Sequence, residues 1–129
     1  MKISASIYSD VARPLQAVIA DLVAHQVDLL HIDCNDDLRV FDDIKKIREW
    51  CTLPLDLHII TPDPSKFYPY LLENPVEYLT FQVEDLKTEL QIPAAITGKK
   101  GLALITPTPI SAFEHFEHFD FILIMATIP

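Results

Sequence analysis

The sequence predicts an α/β fold built on a parallel sheet, and three observations carry that prediction. Short β-branched or aliphatic runs alternate with longer segments of helical period along all 129 residues. Asp28–Asp33 and Phe121–Met125 are nearly all apolar, as strands covered on both faces should be. No Gly/Ser linker, low-complexity tract or charged tail divides the chain, so residues 1–129 read as a single domain.

Taken in order, strands are expected at Lys2–Tyr8, Asp28–Asp33, Leu55–Ile60, Tyr78–Gln82, Gly101–Ile105 and Phe121–Met125. Helices are expected at Pro14–His25, Phe41–Trp50, Pro64–Leu72 and Ile110–Phe116, with a weaker one near Leu86–Leu90. In the first helix, Leu15, Val18, Ile19, Leu22 and Val23 recur at i, i+3, i+4, i+7 and i+8, and Pro14 suits its first turn. The third opens on Thr61-Pro62-Asp63-Pro64, with Asp63 as N-cap and Pro64 at the first helical position. Such β–α alternation implies right-handed crossovers between parallel strands.

Composition excludes several function classes. The formal net charge is −9, and the basic clusters Lys45-Lys46…Arg48 and Lys99-Lys100 are too short to offset it, so nucleic acid is not an expected partner. A small phosphorylated substrate stays compatible, because backbone N–H groups at helix N-termini hold phosphate without a basic surface. No apolar run approaches the roughly 20 residues of a membrane-spanning helix. Met1-Lys2 leads straight into Ile3-Ser4-Ala5-Ser6-Ile7 with no signal-peptide pattern, so the expected protein is soluble, cytoplasmic and without a membrane partner. Cys34 and Cys51 form no CxxC and no disulfide framework.

In parallel sheets chemistry collects at the C-terminal ends of strands. Here those ends are polar: Ser4 and Ser6 on the first strand, His31-Ile32-Asp33 on the second, and Asp56-Leu57-His58 on the third. Alternation puts His31 with Asp33, and Asp56 with His58, opposite Ile32 and Cys34. If both faces point into a barrel, two imidazoles and a carboxylate converge, a set that suits zinc, iron(II) or manganese(II) and leaves positions open for substrate. Spacing alone leaves the ordinary alternative open, a strand-end His that is simply hydrogen-bonded. His115 and His118 have i, i+3 spacing but read as the solvated face of a segment whose apolar face is Phe113, Phe116 and Phe119. His25 closes the first helix, where a cation meets the favourable end of the dipole.

The order of these pieces resembles the ribulose-phosphate 3-epimerase family. Ile3-Ser4-Ala5-Ser6-Ile7-Tyr8-Ser9 is similar to the family's opening I-x-P-S-I-L-S, with Ala5 in place of proline. Leu30-His31-Ile32-Asp33 resembles its second-strand H-x-D, and Leu53-Pro54-Leu55-Asp56-Leu57-His58-Ile59-Ile60 its L-P-L-D-V-H-L-M. Gly101-Leu102-Ala103-Leu104 with Thr108-Pro109, and Ile124-Met125-Ala126-Thr127-Ile128-Pro129, resemble the fifth and sixth strands.

The resemblance implies a TIM-type (β/α)8 barrel of which the chain covers about six of the eight units. It implies epimerisation at C3 of a ketopentose phosphate, with His31, Asp33 and His58 as ligands of a divalent metal: zinc, iron(II) or manganese(II). Asp33 would also be one of two acid/base carboxylates, and Ser6 would contact the sugar phosphate. Removing a proton beside a ketone develops an enediolate, which a Lewis acid stabilises.

The family's fourth ligand and second acid/base, an Asp on strand seven, and its Gly-rich phosphate grip would fall beyond Pro129. The stretch Cys34-Asn35-Asp36-Asp37-Leu38 lacks the family's M-D-G. The expectation is therefore a fragment of a longer enzyme, with the 129-residue chain inactive on its own. The other reading is a degenerate partial barrel acting as a non-catalytic binding or assembly module. Open sheet edges at Lys2–Tyr8 and Phe121–Met125 imply a homo-oligomer for a chain that truly ends there.

Overall fold

The structure, a computed structural model, describes residues 1–87, 90–105 and 119–125. Among these, the strands are β1 (Ser4–Ser6), β2 (Leu29–Asn35), β3 (Leu55–Ile60), β4 (Tyr78–Gln82), β5 (Lys99–Ile105) and β6 (Phe121–Met125). They form one six-stranded parallel sheet in sequence order, β1-β2-β3-β4-β5-β6. Helices α1 (Leu15–Ala24), α2 (Val40–Trp50) and α3 (Tyr68–Glu73) connect the first four strands. The expected helix at Ile110–Phe116 lies outside the described residues, as do His115, His118, Thr108-Pro109 and Ala126–Pro129.

The strands sort their side chains by parity. Leu30, Ile32, Leu55, Leu57, Ile59, Leu79, Phe81, Leu102 and Leu104 are buried on one face, joined in a core with Ile19 of α1, Ile44 and Ile47 of α2, and Leu71 of α3. The opposite face carries His31, Asp33, Asp56, His58, Thr80, Gln82 and Gly101. That face is concave. Ser4 Oγ on β1 reaches Asp56 Oδ2 on β3 at 3.1 Å, and Lys2 Nζ reaches the Tyr78 hydroxyl at the start of β4 at 3.5 Å. Strands lie about 4.8 Å apart, so contacts that skip one and two neighbours follow from a sheet curled as in a barrel wall. This is a six-stranded part of a (β/α) barrel, with helices on its convex side. Because His31 is only half-buried and Asp33 is exposed, β2 is covered on its outer face alone rather than on both.

Three elements depart from expectation. The helix expected over Pro64–Leu72 is split into a 3₁₀ turn, Pro64–Phe67, followed by α3. Asp63 does cap it, accepting from Ser65 N at 3.2 Å. Pro69 in the first turn of α3 has no N–H for the carbonyl four residues back, and Tyr68 N bonds Ser65 O instead, the tighter 3₁₀ closure. Near Leu86–Leu90 the only helical turn among the described residues is 3₁₀ and lies earlier, at Val83–Asp85, with Leu86 already extended at ψ 127°. On α1, Val18 and Ile19 are buried while Val23, counted in the apolar stripe, stands 42% exposed.

Strand β5 begins two residues before the expected Gly101, because Lys99 N bonds Glu77 O at 2.9 Å and pairs with Tyr78. Gly98 makes the turn into it at φ +97°, with Val76 O 2.2 Å from where a Cβ would stand. Gly101 is equally constrained: a Cβ would meet the Phe121 ring at 2.3 Å, and this ring packs edge-on to Tyr78 at 6.2 Å between centroids. The Gly98→Ala variant is expected to lose more than about 1 kcal/mol of stability, through both a disfavoured φ and a backbone clash. Denaturant unfolding measures it, and an unchanged midpoint would contradict this account of the β4–β5 turn.

Candidate active site

The concave face places the polar residues of β2 and β3 side by side. Register sets His31 beside Asp56 and Asp33 beside His58. Both nitrogens of the His31 ring meet carboxylates, Nδ1 at 2.9 Å from Asp56 Oδ2 and Nε2 at 2.8 Å from Asp33 Oδ1. His58, 1% exposed, brings Nδ1 to 3.1 Å from that same Asp33 oxygen. The two rings lie 5.9 Å apart between centroids.

Asp33 Oδ1 is therefore the point on which both imidazoles converge. One donor atom from each of His31, Asp33 and His58 lies within 4.8 Å of the others, the one such metal-competent group among the described residues. Two ring nitrogens and a carboxylate oxygen suit a borderline transition-metal dication. The far nitrogens are held as well: His31 Nδ1 by Asp56, and His58 Nε2 by Gln82 Oε1 at 2.6 Å. Ligating imidazoles ordinarily make such outer bonds, so the donor set fits a divalent metal.

Electrostatics follow from these contacts. Hydrogen bonds to Asp33 and then Asp56 raise the His31 pKa to about 10, against the lowering effect of partial burial. The bonds from His31 and His58 hold the Asp33 carboxyl well below the usual range. Both nitrogens of His31 thus donate, and a positive charge sits between two carboxylates.

Sequence parity correctly gathered His31, Asp33, Asp56 and His58. Ser6 sits on β1 in register with His31, and its carbonyl accepts from Ser9 Oγ at 3.3 Å. Cys34 faces away, its thiol donating to Asp37 O at 3.3 Å, and both thiols are free. His25 ends α1 as expected, its Nδ1–H donating to Asp21 O at 2.7 Å.

Sequence reasoning missed Gln82 and Glu84. Gln82 is 5% exposed, accepts from His58 and donates its amide to a Glu84 carboxylate oxygen. The available signal was a polar Gln closing the otherwise apolar end of Tyr78–Gln82, on the same parity as Thr80. Thr80 Oγ1 is buried without a hydrogen-bond partner, the one such side-chain atom among the described residues.

A cleft of about 490 Å³ lined by Asp33, Tyr8, Asp37 and Asp43 adjoins the cluster. A larger cavity of about 980 Å³ opens at the opposite end, among Arg48, Glu77, Gly98 and Lys99, where the strands begin. Parallel barrels carry their chemistry at the strand C-termini, the end on which the smaller cleft lies.

A curled parallel β/α sheet with an ionisable cluster at its C-terminal strand ends defines part of a (β/α) barrel. The chain belongs to the ribulose-phosphate 3-epimerase family, whose sequence model matches residues 2–129. It is 26% identical over 112 residues to the ribulose-phosphate 3-epimerase of Aquifex aeolicus, an alignment covering 79% of this chain and 50% of that protein. It is 27% identical over 139 aligned positions to the Bacillus subtilis ribulose-phosphate 3-epimerase, covering 100% of this chain and 64% of that one. The chain thus spans about half to two thirds of the length of these relatives. No helix among the described residues is long and apolar enough to cross a membrane.

The His31 shift has a defined consequence for stability. Its folded pKa lies above the ordinary 6.5, so the stability it contributes is complete below pH 6.5 and is lost as pH rises through about 10. The contribution of Asp33 has the opposite sense, being present above the ordinary 3.8 and lost as pH falls. In chelator, unfolding free energy is expected to decline from pH 6.5 to pH 10, with the decline reduced in His31→Gln. A flat or rising profile across that window would refute the His31 contacts.

Proposed function

We propose that the protein acts as a metal-dependent 3-epimerase of a ketopentose phosphate, with His31, Asp33 and His58 holding the divalent ion. The observation that carries the reading is the single Asp33 oxygen approached by His31 Nε2 at 2.8 Å and His58 Nδ1 at 3.1 Å. When bound, zinc, iron(II) or manganese(II) supplies Lewis-acid stabilisation of the charge that develops as C3 loses its proton.

The chain's own residues do the rest. Asp33 keeps its carboxylate form across the neutral range and can take the C3 proton on one face of the sugar. Asp56 and Ser4 keep the His31 ring in its plane, Ser4 Oγ donating to the Asp56 oxygen that accepts from His31. Ser6, in register with His31 one strand away, would contact substrate at the rim. Inversion at C3 needs a second acid on the opposite face, and the related epimerases are longer than this chain.

A partial barrel kept only for binding or assembly would have no use for this chain of hydrogen bonds. It runs unbroken through Ser4, Asp56, His31, Asp33, His58, Gln82 and Glu84. Aligning such groups costs stability that an apolar inner face would not.

Calorimetric titration with zinc or manganese is expected to show one site that His31→Ala or His58→Ala removes. If no binding appears, or if both variants bind like the parent, the metal reading fails. Catalysis has its own test, the exchange of the C3 proton of ribulose 5-phosphate with D₂O, followed by NMR. The Asp33→Asn variant is expected to slow this exchange by a factor of roughly 10²–10⁴. Equal rates in parent and variant would remove Asp33 from the proton transfer.

A further inference from the structure

We infer that Gln82, oriented by Glu84, is a positioning residue that fixes which nitrogen of His58 faces the site. Glu84 sets the direction of these contacts. Its carboxylate only accepts hydrogen bonds, so the side of the Gln82 amide turned towards it must be the NH₂ group. The carbonyl Oε1 is thereby turned the other way, to 2.6 Å from His58 Nε2. An amide oxygen also only accepts, so Nε2 must carry a proton. Nδ1 is the nitrogen left to face Asp33 Oδ1.

The amide cannot turn over without setting its oxygen against a carboxylate and its NH₂ against an N–H. With Gln82 5% exposed and His58 1% exposed, water is poorly placed to repair either mismatch. Glu84 is itself anchored to the neighbouring strand, accepting from Ile105 N at 3.3 Å. The orientation is thus transmitted from the β4–β5 wall, through a neutral amide, to the ring.

The two histidines are held by different means. Asp56 holds His31 with a charged acceptor, whereas Gln82 holds His58 with a neutral one. Gln82 therefore fixes the ring's tautomer and plane without bringing another negative charge against Nε2.

The inference rests on the metal reading, and the experiment separates the two. Zinc titration of Gln82→Met, close in shape but without the amide, is expected to show affinity about 10–100-fold below the parent. Long-range ¹H–¹⁵N spectra of the zinc-loaded parent should show His58 protonated at Nε2, and Gln82→Met should broaden or shift that signal. If Gln82→Met binds zinc within about twofold of the parent, an inert packing role replaces the positioning role. Protonation of His58 at Nδ1 in the zinc-loaded parent would overturn the inference even if the variant does not fold. Failure of the parent to bind zinc sinks the metal reading and this inference together, whereas an unaffected variant sinks only the inference.

Discussion

Everything in this site depends on the period of two along parallel strands. In β2, Leu30, Ile32 and Cys34 turn to the helices, so His31 and Asp33 have to turn inward. β3 repeats the pattern with Leu55, Leu57 and Ile59 outward and Asp56 and His58 inward. The register then slides the two polar pairs against one another, His31 beside Asp56 and Asp33 beside His58. Slipping either strand by one residue would bury two ionisable groups under α2 and expose its aliphatic row. The apolar core therefore enforces the geometry of the cluster, and a change in packing under α2 would be felt at His31.

Curvature is the second constraint. Ser4 and Asp56 are separated by an intervening strand, yet their oxygens lie 3.1 Å apart, because the concave face draws side chains of alternate strands together. Side chains on that face are small or polar towards β5, where Gly101 leaves room for the Phe121 ring. Tyr78 and Phe121 fill the inner face near the strand N-termini, as aromatic packing, and leave the C-terminal ends to the hydrogen-bonded cluster. The division of the inner face into an apolar floor and a polar rim thus follows from where the bulky residues fall along each strand.

The parts of the fold read correctly from sequence were those set by local pattern. Strands β3, β4 and β6 were placed to the residue: apolar and polar residues alternate along β3 and β4, and β6 is an uninterrupted apolar run. What could not be read depends on partners far away in sequence. Pro69 is the exception, a local signal: it has no N–H for Ser65 O four residues back, and the helix after Asp63 splits there. The early start of β5 comes from Glu77 accepting from Lys99 N. In the site, parity sufficed for His31, Asp33, Asp56 and His58. Gln82 escaped because a single polar residue ending an apolar strand says nothing about its partners until β4 is laid beside β3.

The charge of the cluster bears on the kind of ion it suits. Asp33 and Asp56 each bring a formal negative charge to the His31 ring. In the metal-free protein one compensating charge is the imidazolium of His31, held well above its ordinary pKa by those same carboxylates. A metal ligand must give up its proton, so binding of an ion through His31 Nε2 would remove that positive charge. An ion bound there would have to offset two carboxylates in a half-buried setting. A dication does so, whereas a monovalent ion would leave net negative charge beside the buried His58 ring. On the proposed metal reading, the carboxylate that holds His31 by its far nitrogen would have two effects: it would orient a ligand, and it would favour a dication over a monovalent ion.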